Sequence, residues 1–283
     1  MASKMFQEQP DRIPPAHLLW LAFLIVLLAL TSCSLIGIED DTGTTSPIDG
    51  RVSFSIYEGF AGYRTEQDPV VLLTMLTEKI YPCYNFSIVA DVNVRPGLIT
   101  IDLQHVLEPA VCLTALGPAT VEKQLNIPAG TYALFIKSHQ GTDMHALEVT
   151  STYFQIRAGT STVSTPQASL VWRVPERSFA FICGTTSETG WICADFADSL
   201  TALPGLTEFS FPDSGYVPFW PPSSDGYWHN EPARYFKYNS EADYDLAGAM
   251  LARYKRDVIR DQQGLGLWLV NWHNKKYQSW MMP

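Results

Sequence analysis

Residues 88–103, IVADVNVRPGLITIDL, alternate apolar and wetter side chains on both sides of a turn signal. Ile88, Ala90, Val92 and Val94 share one face of an extended chain, and Val89, Asp91 and Asn93 share the other. After Arg95-Pro96-Gly97 the period of two resumes, with Ile99, Ile101 and Leu103 set against Thr100, Asp102 and Gln104. This is the pattern of an antiparallel hairpin with one buried face. Upstream, Val52, Phe54 and Ile56 repeat it. Downstream, strands are expected at 121–126, 132–138, 145–150 and 153–157, separated by Pro128-Ala129-Gly130 and by Gln140-Gly141-Thr142-Asp143. About seven short strands with regular turns predict an all-β, immunoglobulin-like antiparallel sandwich over 49–158. One stretch, VVLLTMLTEKI at 70–80, is long and apolar and is read as a short crossing helix.

Residues 158–166, AGTSTVSTP, are small and polar, so a linker is expected at 159–168. Beyond it the composition changes, and seven of the eight tryptophans lie at or after Trp172. The pattern there reads strand 179–183, helix 191–202, strand 207–211, a Pro-rich loop, strand 234–238, helix 241–261 and strand 266–272. Tyr244, Ala247, Leu251, Tyr254 and Val258 recur at helical steps, with Ser240 at the N-cap, Glu241 and Asp243 behind it, and Gly264 to end the helix. The order βαββαβ predicts a ferredoxin-like α+β domain over 169–283.

The N-terminus speaks to location. LLWLAFLIVLLAL at 18–30 follows Lys4 and Arg12 and ends in Leu30-Thr31-Ser32-Cys33. Those four residues resemble the lipobox of bacterial lipoproteins. The resemblance implies cleavage after residue 32, a signal peptide at 1–32, lipid (diacylglycerol and palmitate-type chains) on Cys33, and a flexible tether at 33–48. Ser34, in place of aspartate, implies passage to an outer membrane where one exists. A second reading stays open: 18–38 carries no charge and is long enough to act as an uncleaved signal anchor in the inner membrane. Both readings place the rest of the chain outside, because the basic residues precede the apolar run and Glu39, Asp40 and Asp41 follow it.

The chain carries a net charge of -10; residues 1–32 hold two basic and two acidic side chains, so the exported part keeps that value. Such acidity argues against nucleic acid or anionic lipid as a partner. Four cysteines follow Cys33. In an oxidising compartment, with no Cys-x-x-Cys spacing, they read as disulfides. Cys83 and Cys112 stand at comparable distances on either side of the Arg95–Gly97 turn and are expected to pair; Cys183 and Cys193 would clip a strand end to the following helix.

No catalytic motif, metal set or cofactor fingerprint is present, and no catalytic residue, metal ligand or cofactor is assigned. His139, Asp143 and His145 straddle a hairpin tip, where polar residues are ordinary and a metal site would lack a fourth ligand. Cys183-Gly184-Thr185-Thr186-Ser187-Glu188 reads as a capped helix start in preference to an anion cradle. Trp268 and Trp272 are expected on one strand face. The most unusual segment is the Pro-rich loop, whose Trp220, Tyr227, Trp228 and His229 form the candidate binding set. These rings suit either cover for a sheet or recognition of an envelope protein or glycan. The expected function is a membrane-attached binding or structural module of the cell envelope. The alternative is an envelope hydrolase or transferase with a site in the C-terminal domain or between domains, which requires His229, His273 or Asp225 to converge.

Overall fold

The computed structural model describes residues 44–60, 66–219 and 223–282. The signal-like segment, Cys33 and Trp220 lie outside the described residues. From Thr44 onward the chain groups into one compact unit.

The first part is a large curled mixed sheet. Its strands are β1 (Thr45–Ser46), β2 (Val52–Gly59), β3 (Val70–Tyr81), β4 (Ser87–Arg95), β5 (Leu98–Leu107), β6 (Gly117–Leu125), β7 (Gly130–Ser138), β8 (Gly141–Val149), β9 (Tyr153–Arg157), β10 (Ser164–Pro166) and β11 (Leu170–Trp172). Ten follow the path β10-β2-β3-β6-β4-β5-β7-β8-β9-β11, and β1 pairs with β5. The β4–β5 hairpin turns at Pro96-Gly97, with Arg95 opposite Leu98 and Gly97 at φ +70°. Three contacts are parallel: β10 with β2, β4 with β6, and β5 with β7. Strands β10 and β11 sit at opposite ends of the path but only a few residues apart in the chain. Between them the Gln167 N–H donates to the Phe54 carbonyl, and the Ile156 N–H donates to the Ser169 carbonyl. This short segment joins the two edges, so the sheet curls over one core containing Phe54, Ile56, Leu73, Met75, Ile99, Ile101, Leu134, Ile136 and Phe154. Closure of this kind leaves little free edge for aggregation.

Two expectations are corrected here. This first part of the chain forms a single mixed sheet, not an immunoglobulin-like antiparallel sandwich. Residues 70–80 are not a helix but most of β3, which pairs with β2 on one side and β6 on the other. Leu73, Met75 and Thr77 point inward at a period of two. A strand flanked on both sides loses its polar alternation, which is why an apolar run there imitates a helix. A register shift between Leu76 and Ile80 is bridged by Thr77, whose hydroxyl accepts from the Ala119 N–H and donates to the Lys79 carbonyl.

The second sheet contains β12 (Ser178–Thr186), β13 (Leu206–Phe209), β14 (Ser223–Ser224), β15 (Trp228–Asn230), β16 (Arg234–Tyr238), β17 (Leu265–Asn271) and β18 (Lys276–Gln278). All its pairings are antiparallel. The centre is β12, with β17 along one side and, along the other, β16 beside its first half and β15 beside its second. The expected ferredoxin-like βαββαβ domain is therefore also corrected: the sheet has seven strands, three of them from segments read as loop or tail, within a mostly β molecule. Two α-helices, α1 (Gly190–Thr201) and α2 (Glu241–Tyr254), cover one face. Phe196, Leu200, Tyr244 and Leu251 pack there on Phe179, Phe181, Phe236 and Leu269. At the start of α2 the Asp243 carboxylate accepts from the Ser240 N–H and hydroxyl. The α-helix ends at Tyr254, and 255–259 form a π-helical turn, so the single helix expected over 241–261 is interrupted.

Both disulfides are present. Cys83–Cys112 joins the connections that flank the β4–β5 hairpin, and Cys183–Cys193 ties β12 to α1.

Candidate functional site

The face of the second sheet away from the helices is only partly covered. Phe209, Phe211, Phe219 and Tyr235 form a ladder of tilted and edge-on rings over its β13–β16 side. Tyr235 donates its hydroxyl to the Pro218 carbonyl, and burial pushes its pKa up to about 12. The first part of the Pro-rich loop is thus sheet cover. It also reaches the first sheet: Trp172 N–H and Tyr216 carbonyl bond at 2.8 Å, and the Trp172 indole donates to the Ser214 carbonyl.

Toward β15 and β17 the cover gives way to a cleft of about 330 Å³. Its architecture starts from two glycines. Gly184 of β12 lies directly opposite Gly266 of β17, so two adjacent strands lack side chains at one level of this face. Indoles occupy the gap. A Cβ on Gly184 would lie 2.3 Å from the Trp228 ring, and one on Gly266 would lie 3.2 Å from the Trp280 ring. Trp268, opposite Ile182, closes the third side, edge-on to Trp280 with centroids 6.4 Å apart. Leu265 and Asn230 complete the lining. Trp228 and Trp268 are half-buried, and Trp280 is 55% exposed.

Polar contacts hold two of the three walls, those of Trp228 and Trp280. The Trp228 indole donates to Asn230 Oδ1, and Asn230 Nδ2 donates to Ser223 Oγ. Asp225 Oδ1 accepts from the Trp228 and Tyr227 N–H groups, which fixes the β14–β15 tip and lowers the Asp225 pKa. Trp280 belongs to a 3₁₀ turn anchored by Ser279, whose hydroxyl accepts from the Leu267 N–H. Trp268 and Met281 also border a larger hollow of about 730 Å³ whose lining includes Asn274, Lys275, Lys276 and Gln278. Lys275 is paired with Asp245, and the Lys276 ammonium lies 5.8 Å from the Trp268 ring centre.

The residues singled out from sequence fall in different places. Trp228 lines the cleft, Tyr227 is 75% exposed at the hairpin tip, and Trp220 lies outside the described residues. His229 alternates to the other side of β15 and bonds Ser224 Oγ through Nδ1 at 2.7 Å. His273 stacks on Trp272, and its Nε2 lies 2.9 Å from Asp68. His229, His273 and Asp225 thus have separate partners. Trp272 donates to the Tyr238 hydroxyl and packs with the helix-side core, so it does not share a face with Trp268 as expected. The hydroxyls of Thr185, Thr186 and Thr189 bond one another and the Gly264 carbonyl at the start of α1.

His139 is exposed, but Asp143 and His145 are buried. Asp143 accepts from the Thr162, Val163 and Ser164 N–H groups and from the Ser164 hydroxyl, which in turn meets His145 Nε2 at 2.9 Å. The trio fastens β8 to β10. Among the described residues no group of three or more potential metal ligands comes together.

Sequence reasoning found Trp228 but missed Trp280 and the glycine pair. Gly184 and Gly266 acquire meaning only once β12 and β17 are known to pair. Comparison with family models, with curated proteins and with solved structures gives no match.

Proposed function

We propose that this chain is a binding module of the cell envelope, attached to the membrane through its N-terminal segment by lipid on Cys33, and that the tryptophan cleft takes a glycan. The observation that carries the binding reading is the set of three indoles that line the cleft around the Gly184–Gly266 gap. Aromatic faces receive the C–H face of a pyranose, and rings fixed by backbone and amide contacts lose little entropy on binding. The hollow beyond Trp268, whose lining includes Asn274, Lys276 and Gln278, suits the hydroxyl and amide substituents of neighbouring sugar units.

A soluble N-acetylglucosamine oligomer is the probe. Binding should perturb tryptophan emission, and Trp280→Ala should weaken it about tenfold, the equivalent of ~1.4 kcal/mol. The same variant should melt within about 2 °C of the parent, because so exposed a ring adds little to the core. Absence of binding at millimolar oligomer, or a Trp280→Ala protein that binds normally, would refute the glycan reading.

A further inference from the structure

The end of the large sheet where the described chain begins carries a second unpartnered apolar feature. There, β1 pairs with Val106 and Leu107, and the Glu108 N–H donates to the Thr44 carbonyl. The register brings two connections to this same end: residues 82–86, between β3 and β4, and residues 108–116, between β5 and β6. Ser87 lies opposite Leu107, and Tyr81 lies opposite Gly117.

These connections are tied together. Cys83 and Cys112 are bonded, Asn85 Nδ2 donates to the Val111 carbonyl, and the Leu113 N–H donates to Asn85 Oδ1. The Tyr84 Cβ packs so close to Gly117 that a side chain at 117 would meet it at 2.8 Å. What this rigid knuckle displays is apolar: Ile80, Tyr84, Val111, Leu113 and Leu116 are 56, 53, 70, 44 and 78% exposed. Single exposed hydrophobes are ordinary, but four on two cross-linked loops, with Ile80 at the end of β3, form a patch. Nearby, Arg51 pairs with Glu78 and Lys79 with Asp49, and the exposed Glu108 begins the second loop.

Position supplies the occupant. Ten residues, 34–43, separate Cys33 from Thr44, eleven steps along the chain. They span at most about 40 Å when extended and about 18 Å as a coil. A chain attached at Cys33 therefore keeps this end within about 40 Å of the membrane. We infer that the Ile80, Tyr84, Val111, Leu113 and Leu116 knuckle docks into the interfacial layer of the bilayer to which the protein is attached. The inference rests on the membrane attachment proposed above, but not on the cleft or its ligand. The contact proposed is made by these apolar side chains.

The test uses the full chain in vesicles of phosphatidylethanolamine and phosphatidylglycerol, with and without brominated acyl chains. Leu116→Trp adds a reporter on the knuckle. Val94→Trp adds one at the opposite end of the β4–β5 hairpin. After subtraction of parent emission, the Leu116→Trp signal should be blue-shifted and quenched by brominated lipid at least twofold more than the Val94→Trp signal. Equal or absent quenching overturns the knuckle, as does a blue shift without quenching, which signals contact with protein. Flotation and intact mass read the attachment separately. A protein that floats with Leu116→Trp unquenched keeps the attachment and loses the knuckle. One without lipid on Cys33 but with Leu116→Trp quenched loses the lipid and keeps the knuckle. A protein that does not float overturns both.

Discussion

Asp143 is fully buried, yet it is not set up for chemistry. Its carboxylate can only accept, so the Ser164 hydroxyl must donate to it. Ser164 Oγ then accepts from His145 Nε2–H, which assigns the Nε2 tautomer and leaves Nδ1 a buried lone pair without a hydrogen-bond partner. Burial alone would raise the Asp143 pKa, but three backbone N–H groups and the Ser164 hydroxyl hold it at about 2. Burial lowers the His145 pKa, and the nearby Asp143 charge only partly opposes it. Both shifts favour the folded state at neutral pH. For the imidazole, the folded form takes up its proton less readily than the unfolded form, so stability is complete above about 6.5 and declines as pH falls below that value. For the carboxylate, stability is complete above 3.8 and is lost as pH falls toward 2. Asp143→Asn should cost about 2 to 3 kcal/mol at pH 7, since an amide cannot accept from four donors. Urea unfolding should show that this variant has lost most of the parent's slope between pH 4 and 2, whereas His145→Gln should lose the slope just below pH 6.5. Unchanged pH profiles in both would show that neither group governs acid stability.

At the scale of elements, what could be read in the sequence depended on how local the cause was. The β4–β5 hairpin was legible because each strand has an inner face and the Pro96-Gly97 turn lies between them. The start of α2 was legible because Ser240 and Asp243 cap it within one turn. By contrast, β3 misled because its neighbours β2 and β6 supply the context that makes an apolar run a strand. Parallel pairs such as β5 with β7 leave no local mark, so the mixed sheet was not foreseeable from alternation alone. The candidate site divides in the same way. Trp228 stood out by composition, while the gap beneath it joins glycines 82 residues apart, a number that is simply 266 minus 184. Gly184→Ala should therefore act through that partnership. Its methyl meets the Trp228 ring, and overpacking of this kind costs about 1 to 3 kcal/mol. Gly190→Ala, at the first turn of α1 with nothing within 4 Å of the new methyl, should be neutral or stabilising by up to about 1 kcal/mol. Chemical denaturation of the two variants separates a packing gap from ordinary glycine flexibility, and equal effects would remove the argument for the gap.

At the scale of the molecule, the two sheets are coupled through a small number of residues between β11 and β12. Arg173 Nε donates to Glu58 of β2 at 2.7 Å, Nη1 donates to the Thr150 carbonyl, and the guanidinium lies 5.3 Å from the Phe154 ring centre. The second Glu58 oxygen accepts from the Val174 N–H, and the Glu58 side chain is only 4% exposed. A pair this enclosed contributes little when intact, because desolvation offsets attraction, but losing one partner strands the other charge at a cost of about 3 to 5 kcal/mol. Around it, the Tyr216–Trp172 bonds and the Gln67 N–H to His273 carbonyl bond also link the sheets. Arg173 and Val174 therefore pin the segment that leads into the Ser178 strand to the curled sheet, and with the other links in place the parent should unfold in one calorimetric transition. Arg173→Met keeps the aliphatic stem over Phe154 but leaves the Glu58 carboxylate without its cation. The expected result is two separated transitions, with the curled sheet melting first because β2 holds the stranded charge. A variant that still melts in a single step at the parent temperature would place the coupling elsewhere along the Pro-rich loop, in the Tyr216 and Ser214 contacts with Trp172.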